Sequence, residues 1–113
     1  MLTPQLQPVE VAALSAVLSY WEWHWDWECP TLFGLELKEY RAAAETWRAT
    51  LDLSLPQVAY AMLGALREFL HGASAVKAEA VAGIAGMSSA DLVTLDSRIR
   101  PYVLGVVAQR RTA

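Results

Sequence analysis

Apolar residues recur every three or four positions along most of the chain, which is the spacing of one face of an α-helix. The first of these stripes follows Pro8, a residue suited to the first turn of a helix. A stripe over 37–51 is flanked by charged residues that can pair on the solvent side, and one over 55–70 is broad enough for a central helix. The spacing therefore predicts three helices, over about 8–20 or beyond, about 37–50 and about 54–72.

Local signals mark where these helices begin and end. Ser54 has the form of a capping-box residue at the start of the third helix, and Gly72 is suited to a left-handed cap that closes it. Pro30 restricts the residue before it to extended geometry, and Gly34 permits a turn. Residues 28–35 are therefore expected to be a connection.

Two further helices are expected in the last third of the chain. A weaker, alanine-rich stripe precedes Gly86, and residues 88–91 can cap a final helix that runs to about Gln109. The apolar stripe of this helix passes straight through Pro101, which has no amide hydrogen and disrupts a helix interior. We therefore predict a kink or a restart near Ser97.

These elements predict an all-α fold, a single compact bundle of about five helices whose last helix is kinked near Pro101. A length of 113 residues fits one domain with its own core, so residues 1–113 are assigned to a single helical domain. Its ends, 1–7 and 110–113, are expected to be frayed. The apolar content of 55% and charged content of 19% exclude a disordered chain.

Residues 21–30 hold four of the five tryptophans and alternate them with ionisable residues, in the sequence WEWHWDWECP. The alternation also suits a strand, but the chain offers no convincing partner strand. We therefore favour a helix that continues part way and then becomes irregular. Trp21 and Trp25 then share the core face, whereas Trp23 and Trp27 point roughly the other way.

The plainest interpretation of this stretch is that its rings fill the core and its acids are solvated. A core this small cannot easily take all four rings, and aromatic rings beside carboxylates suit a binding surface on which the charges set partner choice. Glu22 and Asp26 are expected to form an exposed acidic edge. The candidate partner-binding residues are Glu22, Trp23, Asp26, Trp27 and Glu28.

The net charge of −3 is unevenly spread along the chain. Residues 1–56 carry eight acidic and three basic side chains, which gives −5, and the remainder carries four acidic and six basic side chains, which gives +2. Because long-range potential governs encounter, the acidic half disfavours nucleic acid and favours a basic protein surface as the partner.

The compartment follows from cysteine content and from the N-terminus. Cys29 is the only cysteine, which is compatible with a reducing compartment. The apolar run over 11–18 is too short to span a bilayer and has no basic residue before it. We therefore expect a cytoplasmic protein with neither a signal peptide nor a membrane helix.

The sequence contains little that indicates a catalytic or a metal-binding site. Four alternating side chains could act as metal ligands only on a strand: Glu22, His24, Asp26 and Glu28. The acids near Cys29 would raise the pKa of its thiol and oppose its activation. The chain has no glycine-rich phosphate loop, Gly-x-Ser-x-Gly elbow or His-Glu-x-x-His motif. We expect no enzyme activity, no cofactor and no metal.

Residues 81–95, VAGIAGMSSADLVTL, resemble the helix-turn-helix of DNA-binding regulators. Ala82 lies four residues before the turn at Gly86, and Leu92 and Leu95 fall where the second helix packs on the first. The exposed face would present Ser, Ala, Val and Thr instead of the Arg, Lys, Asn or Gln that contact base edges, so binding to nucleic acid is not expected. A small regulator of this kind, or a ligand-binding helical domain, is the alternative function.

In size, in acidity and in the tryptophan and acid pattern of residues 21–34, the chain resembles immunity proteins that neutralise bacterial polymorphic toxins. The resemblance implies stoichiometric inhibition of a cognate toxin. The three carboxylates of the candidate set would pair with Lys or Arg in the toxin's active cleft, and its two outward tryptophans would anchor the rim. The oligomeric state stays open, since the broad apolar faces also suit a dimer.

Overall fold

The computed structural model describes residues 3–112, with side-chain surroundings as far as Gln109. The described residues form six α-helices and no strand, which confirms the all-α class and adds one helix to the expected five. The fraying expected at 1–7 and 110–113 falls partly outside the described residues and stays a prediction. The helices are α1 (Pro8–Trp23), α2 (Cys29–Phe33), α3 (Leu37–Thr50), α4 (Pro56–His71), α5 (Ala78–Ala85) and α6 (Ser89–Thr112).

The helix missing from the prediction is α2, which lies in the segment interpreted as a connection. Pro30 occupies its second position, where the absent amide hydrogen costs no intrahelical hydrogen bond, and Cys29 is helical and not extended. Gly34 ends α2 in the left-handed conformation, at φ 65°. The five-residue length of α2 explains why no periodic stripe revealed it.

The central position predicted for the third helix is confirmed, since α4 contacts α1, α2, α3 and α6. Three alanines and Gly64 on its buried face let the neighbouring helices approach closely. An ideal Cβ built on Gly64 would lie 3.1 Å from a ring carbon of Phe33, so α2 sits directly on the α4 backbone at this point. The buried side chains of α4 are Val58, Ala59, Ala61, Met62, Ala65, Leu66, Glu68 and Phe69.

The capping box predicted at Ser54 is wrong, whereas Gly72 does end α4 but not in the predicted left-handed conformation. The N-cap of α4 is Leu55, with no side-chain cap hydrogen bond, and the Ser54 hydroxyl and amide both donate to Asp52 Oδ1, at 2.6 and 2.9 Å. Gly72 is extended, at φ −75° and ψ 173°, and not left-handed. The Gly72 backbone lies against the Glu68 side chain, and a Cβ at this position would collide with the Glu68 carboxylate. The glycine therefore permits this close contact and does not form a left-handed turn.

The predicted end of α5 and the predicted start of α6 are correct, whereas α6 extends past the expected Gln109 to Thr112. Gly86 closes α5 with φ 76°, and the Ser88 hydroxyl accepts the Asp91 amide at 3.1 Å in the first turn of α6. Helix α6 continues through Pro101 without the restart that we offered as one outcome. Within residues 3–112, no helix combines the length and apolar character that a membrane span requires.

Two glycines near the α5–α6 turn should respond oppositely to alanine. Gly83→Ala adds a methyl group to open space inside α5, and we expect it to stabilise the protein by about 0.5–1 kcal/mol. Gly86→Ala places a Cβ on left-handed backbone and should cost about 1–2 kcal/mol. Urea unfolding of the two variants measures both changes. Stabilisation by Gly86→Ala would contradict the left-handed backbone described for Gly86, and destabilisation by Gly83→Ala would contradict the open space described at Gly83.

Candidate protein-binding surface

An aromatic cluster ends α1 and fixes the orientation of its last residues. Trp21 is 3% exposed, and its indole nitrogen donates to the Ala65 carbonyl of α4 at 3.1 Å. The Trp25 ring packs at 5.0 Å, centroid to centroid, against both Phe33 and Tyr40. These two tryptophans therefore belong to the core side, as the spacing predicted.

Beyond Trp23 the chain leaves the helix, which confirms the helix-then-irregular interpretation of the tryptophan stretch. His24 caps α1: its amide donates to the Tyr20 carbonyl at 3.1 Å, and its ring stacks on the Tyr20 ring at 4.0 Å. Asp26 Oδ1 then accepts the Glu28 amide at 2.9 Å, which holds the turn that leads into α2. The segment is therefore ordered by local hydrogen bonds and not by strand pairing.

The other two tryptophans of the stretch are almost fully exposed. Trp23 retains 86% and Trp27 85% of its accessible surface. Indole is large and mostly apolar, and folded proteins usually bury most of it. The interpretation that all four rings fill the core is therefore wrong for these two. We call Trp23, Asp26, Trp27 and Glu28 the tryptophan patch.

Glu22 does not belong to an exposed acidic edge, contrary to the prediction. Glu22 is 17% exposed and forms an ion pair with Arg48 of α3 at 2.8 Å, so its charge is already matched within the bundle. Asp26 and Glu28 are exposed, as expected. The prediction of an exposed edge is therefore wrong for Glu22 and correct for Asp26, while the binding role of all five candidate residues stays a prediction.

Cys29 lies beside the patch but is buried. Burial raises the pKa of its thiol, and the neighbouring carboxylate of Asp26 raises that pKa further, whereas the hydrogen bond from the Asp26 amide to the sulfur opposes the shift. Nearby acid was the only cause predicted, and desolvation proves to be the larger one. In the part of the chain that the structure describes, no three His, Cys, Asp or Glu side chains gather as metal ligands.

The helix-turn-helix resemblance corresponds to α5, the turn at Gly86 and the start of α6. Two arginines that could reach a phosphate backbone are engaged within the bundle. Arg98 forms an ion pair with Glu10 of α1 at 2.7 Å, and Arg100 forms one with the buried Asp96. This corner therefore presents little free positive charge for nucleic acid.

A groove that the sequence did not reveal runs along α4 and α6. It consists of a depression of about 530 Å³ beside α2 and one of about 230 Å³ nearer the start of α6, and both are lined by Leu63, Arg67 and Leu104. Leu104 is 46% exposed, although the apolar stripe of α6 runs through its neighbour Val103. That off-stripe leucine is the one sequence signal that could have revealed this surface, which we call the α4–α6 groove.

Comparison of the chain with protein-family models, curated protein sequences and solved structures finds no match.

Exposure of the two patch tryptophans has a direct spectroscopic consequence. Acrylamide should quench a large share of the tryptophan fluorescence of the folded protein, because two of the five indoles face water. Trp23→Phe/Trp27→Phe should remove most of that quenching and shift the emission to shorter wavelength. Trp47→Phe, at a fully buried position, is the matched control and should keep the quenching. Wild-type quenching in the double variant would place these rings in the interior.

Proposed function

We propose that this protein is a protein-binding inhibitor that uses the tryptophan patch to bind the basic surface of a cognate protein. The observation that carries the proposal is the exposure of Trp23 and Trp27, at 86% and 85%, at the end of α1 and on the turn that follows it, next to buried neighbours. Each indole can bury about 150–250 Å² on contact, and tryptophan is enriched among residues that dominate binding energy. A rigid turn also lowers the entropy lost on binding.

Charge indicates what kind of surface the patch fits. Among the described residues, neither Asp26 nor Glu28 forms an ion pair, whereas Glu22 next to them does. Carboxylates without an ion-pair partner, beside exposed rings, favour a partner that presents Lys or Arg around an apolar depression. The acidic first half of the chain would add long-range attraction and make association fast and sensitive to salt.

The sharpest form of the proposal is an immunity protein that neutralises a bacterial toxin by stoichiometric binding in the cytoplasm. A toxin domain that acts on nucleic acid or other anionic substrates has a basic cleft, and the patch would cover it without turnover by the inhibitor. Support comes from the size and acidity of the chain and from the patch. No step of this function needs a catalytic residue, a cofactor or a metal.

Co-expression with the product of the neighbouring gene tests the proposal. Wild-type protein should restore growth of cells that express that product as a toxin, and the purified pair should form a 1:1 complex. Trp23→Ala/Trp27→Ala should weaken the complex at least about 30-fold, since a single anchor residue can contribute 2 kcal/mol or more. Asp26→Asn/Glu28→Gln should mainly slow association and reduce its salt dependence.

Glu22→Gln is the matched control for the charge variants. It removes one carboxylate from the same stretch, but that carboxylate pairs with Arg48 inside the bundle, so binding should change little. Circular dichroism melting curves establish that each variant is folded. Growth rescue by the double tryptophan variant at wild-type level would overturn the patch as the binding surface.

A further inference from the structure

The α4–α6 groove has the shape and size to receive aromatic side chains. Its two depressions, of about 530 and 230 Å³, adjoin at Leu63, Arg67 and Leu104. Pockets that hold whole organic ligands typically measure about 300–1000 Å³. The volume of the larger depression lies in this range and exceeds that of an indole ring. The floor is apolar, since Leu63 and Leu104 lie between the two ends.

Two paired arginines line the rim of the groove. The side chains of Arg67 and Arg100 are 51% and 42% exposed, whereas those of their partners Glu68 and Asp96 are only 9% and 4% exposed. Each ion pair is neutral overall, but its guanidinium group faces solvent more than its carboxylate does. Guanidinium groups bind carboxylates and also stack on indole faces. His71 adds a third nitrogen-bearing side chain to the smaller depression.

The tryptophan patch complements this groove in composition and is short enough to lie within it. It offers two exposed indoles and two exposed carboxylates, which complement an apolar floor and an arginine rim. Asp96 and Ala108 line the groove and are twelve residues apart on α6, which corresponds to about 18 Å. Trp23 and Trp27 are four residues apart, so their Cα atoms are separated by at most about 14 Å.

We infer that the tryptophan patch of one copy of this protein docks into the α4–α6 groove of a second copy. The contact is heterologous, since it joins two different surfaces. In a dimer one copy therefore keeps a free groove and the other keeps a free patch, and either surface can bind a third copy. Self-association then covers the exposed indoles when no other partner is bound. The inference goes beyond the proposed function and does not depend on which protein the patch inhibits.

Sedimentation velocity at increasing protein concentration tests the inference. Wild type should form dimers and larger species. Trp23→Ala/Trp27→Ala, which destroys the patch, and Leu104→Glu, which puts a negative charge in the groove, should each raise the midpoint concentration at least tenfold. Val93→Glu is the matched control, because Val93 is also an exposed apolar residue of α6 but lies outside the groove, and it should associate like wild type.

Mixing the two defective variants distinguishes this contact from every symmetric one. The Leu104→Glu chain keeps an intact patch and the double tryptophan variant keeps an intact groove, so the mixture should form a 1:1 heterodimer that grows no further. Melting curves confirm that each variant is folded. A mixture that stays monomeric, or a Leu104→Glu chain that associates like wild type, overturns the inference.

A wild-type chain that stays monomeric at millimolar concentration also overturns the inference and leaves the groove to another protein. The same variants distinguish a failure of the self-association inference from a failure of the proposed function. Leu104→Glu keeps the patch intact, so it should bind the cognate protein and rescue growth whether or not the wild type associates with itself.

Discussion

Contacts around Phe33 fix the geometry on which both exposed surfaces depend. Its ring lies 5.5 Å from Trp21 and from Tyr40 and 5.0 Å from Trp25, centroid to centroid, so one residue of α2 holds the end of α1 against α3. Gly64 lets the same ring rest on the α4 backbone. The polar atoms of the neighbouring rings are also satisfied, since the Tyr40 hydroxyl donates to the Leu18 carbonyl at 2.6 Å. Because Trp21 and Trp25 are held inward, the alternate tryptophans are left in solvent.

The long helices were predictable because each buries a regular stripe. The bounds of α3, Leu37–Thr50, follow from residues three and four apart that meet the same neighbours. Helix α2 was not predictable in this way, because one turn of helix has no period and its stability comes from Phe33 in the core. Ser54 failed as a cap for a related reason. Asp52, two residues away, accepts hydrogen bonds from both the hydroxyl and the amide of Ser54, and the capping pattern alone does not reveal that Ser54 is oriented toward Asp52 instead of toward the helix.

The features of the candidate surfaces also differ in whether local sequence or long-range packing determines them. The inward Trp21 and the outward Trp23 could be assigned from the direction of side chains on α1. Trp25 and Trp27 follow the end of that helix, so their orientations depend on the turn that leads into α2. The pairing of Glu22 with Arg48 joins residues 26 positions apart, and the groove is formed by α2, α4 and α6 together. Such long-range contacts depend on how the helices pack, which a single sequence leaves undetermined.

Pro101 removes one backbone hydrogen bond from the interior of α6. Proline donates no amide hydrogen, so the Ser97 carbonyl lacks the helical partner it would otherwise have. Arg98, before this point, is tied to α1 through Glu10, and Val103, after it, is buried in the core. The groove extends across the proline, from Asp96 to Leu104 and beyond. A small bend at Pro101 would therefore change the width of the groove, because Arg98 and Val103 hold the helix on either side of it.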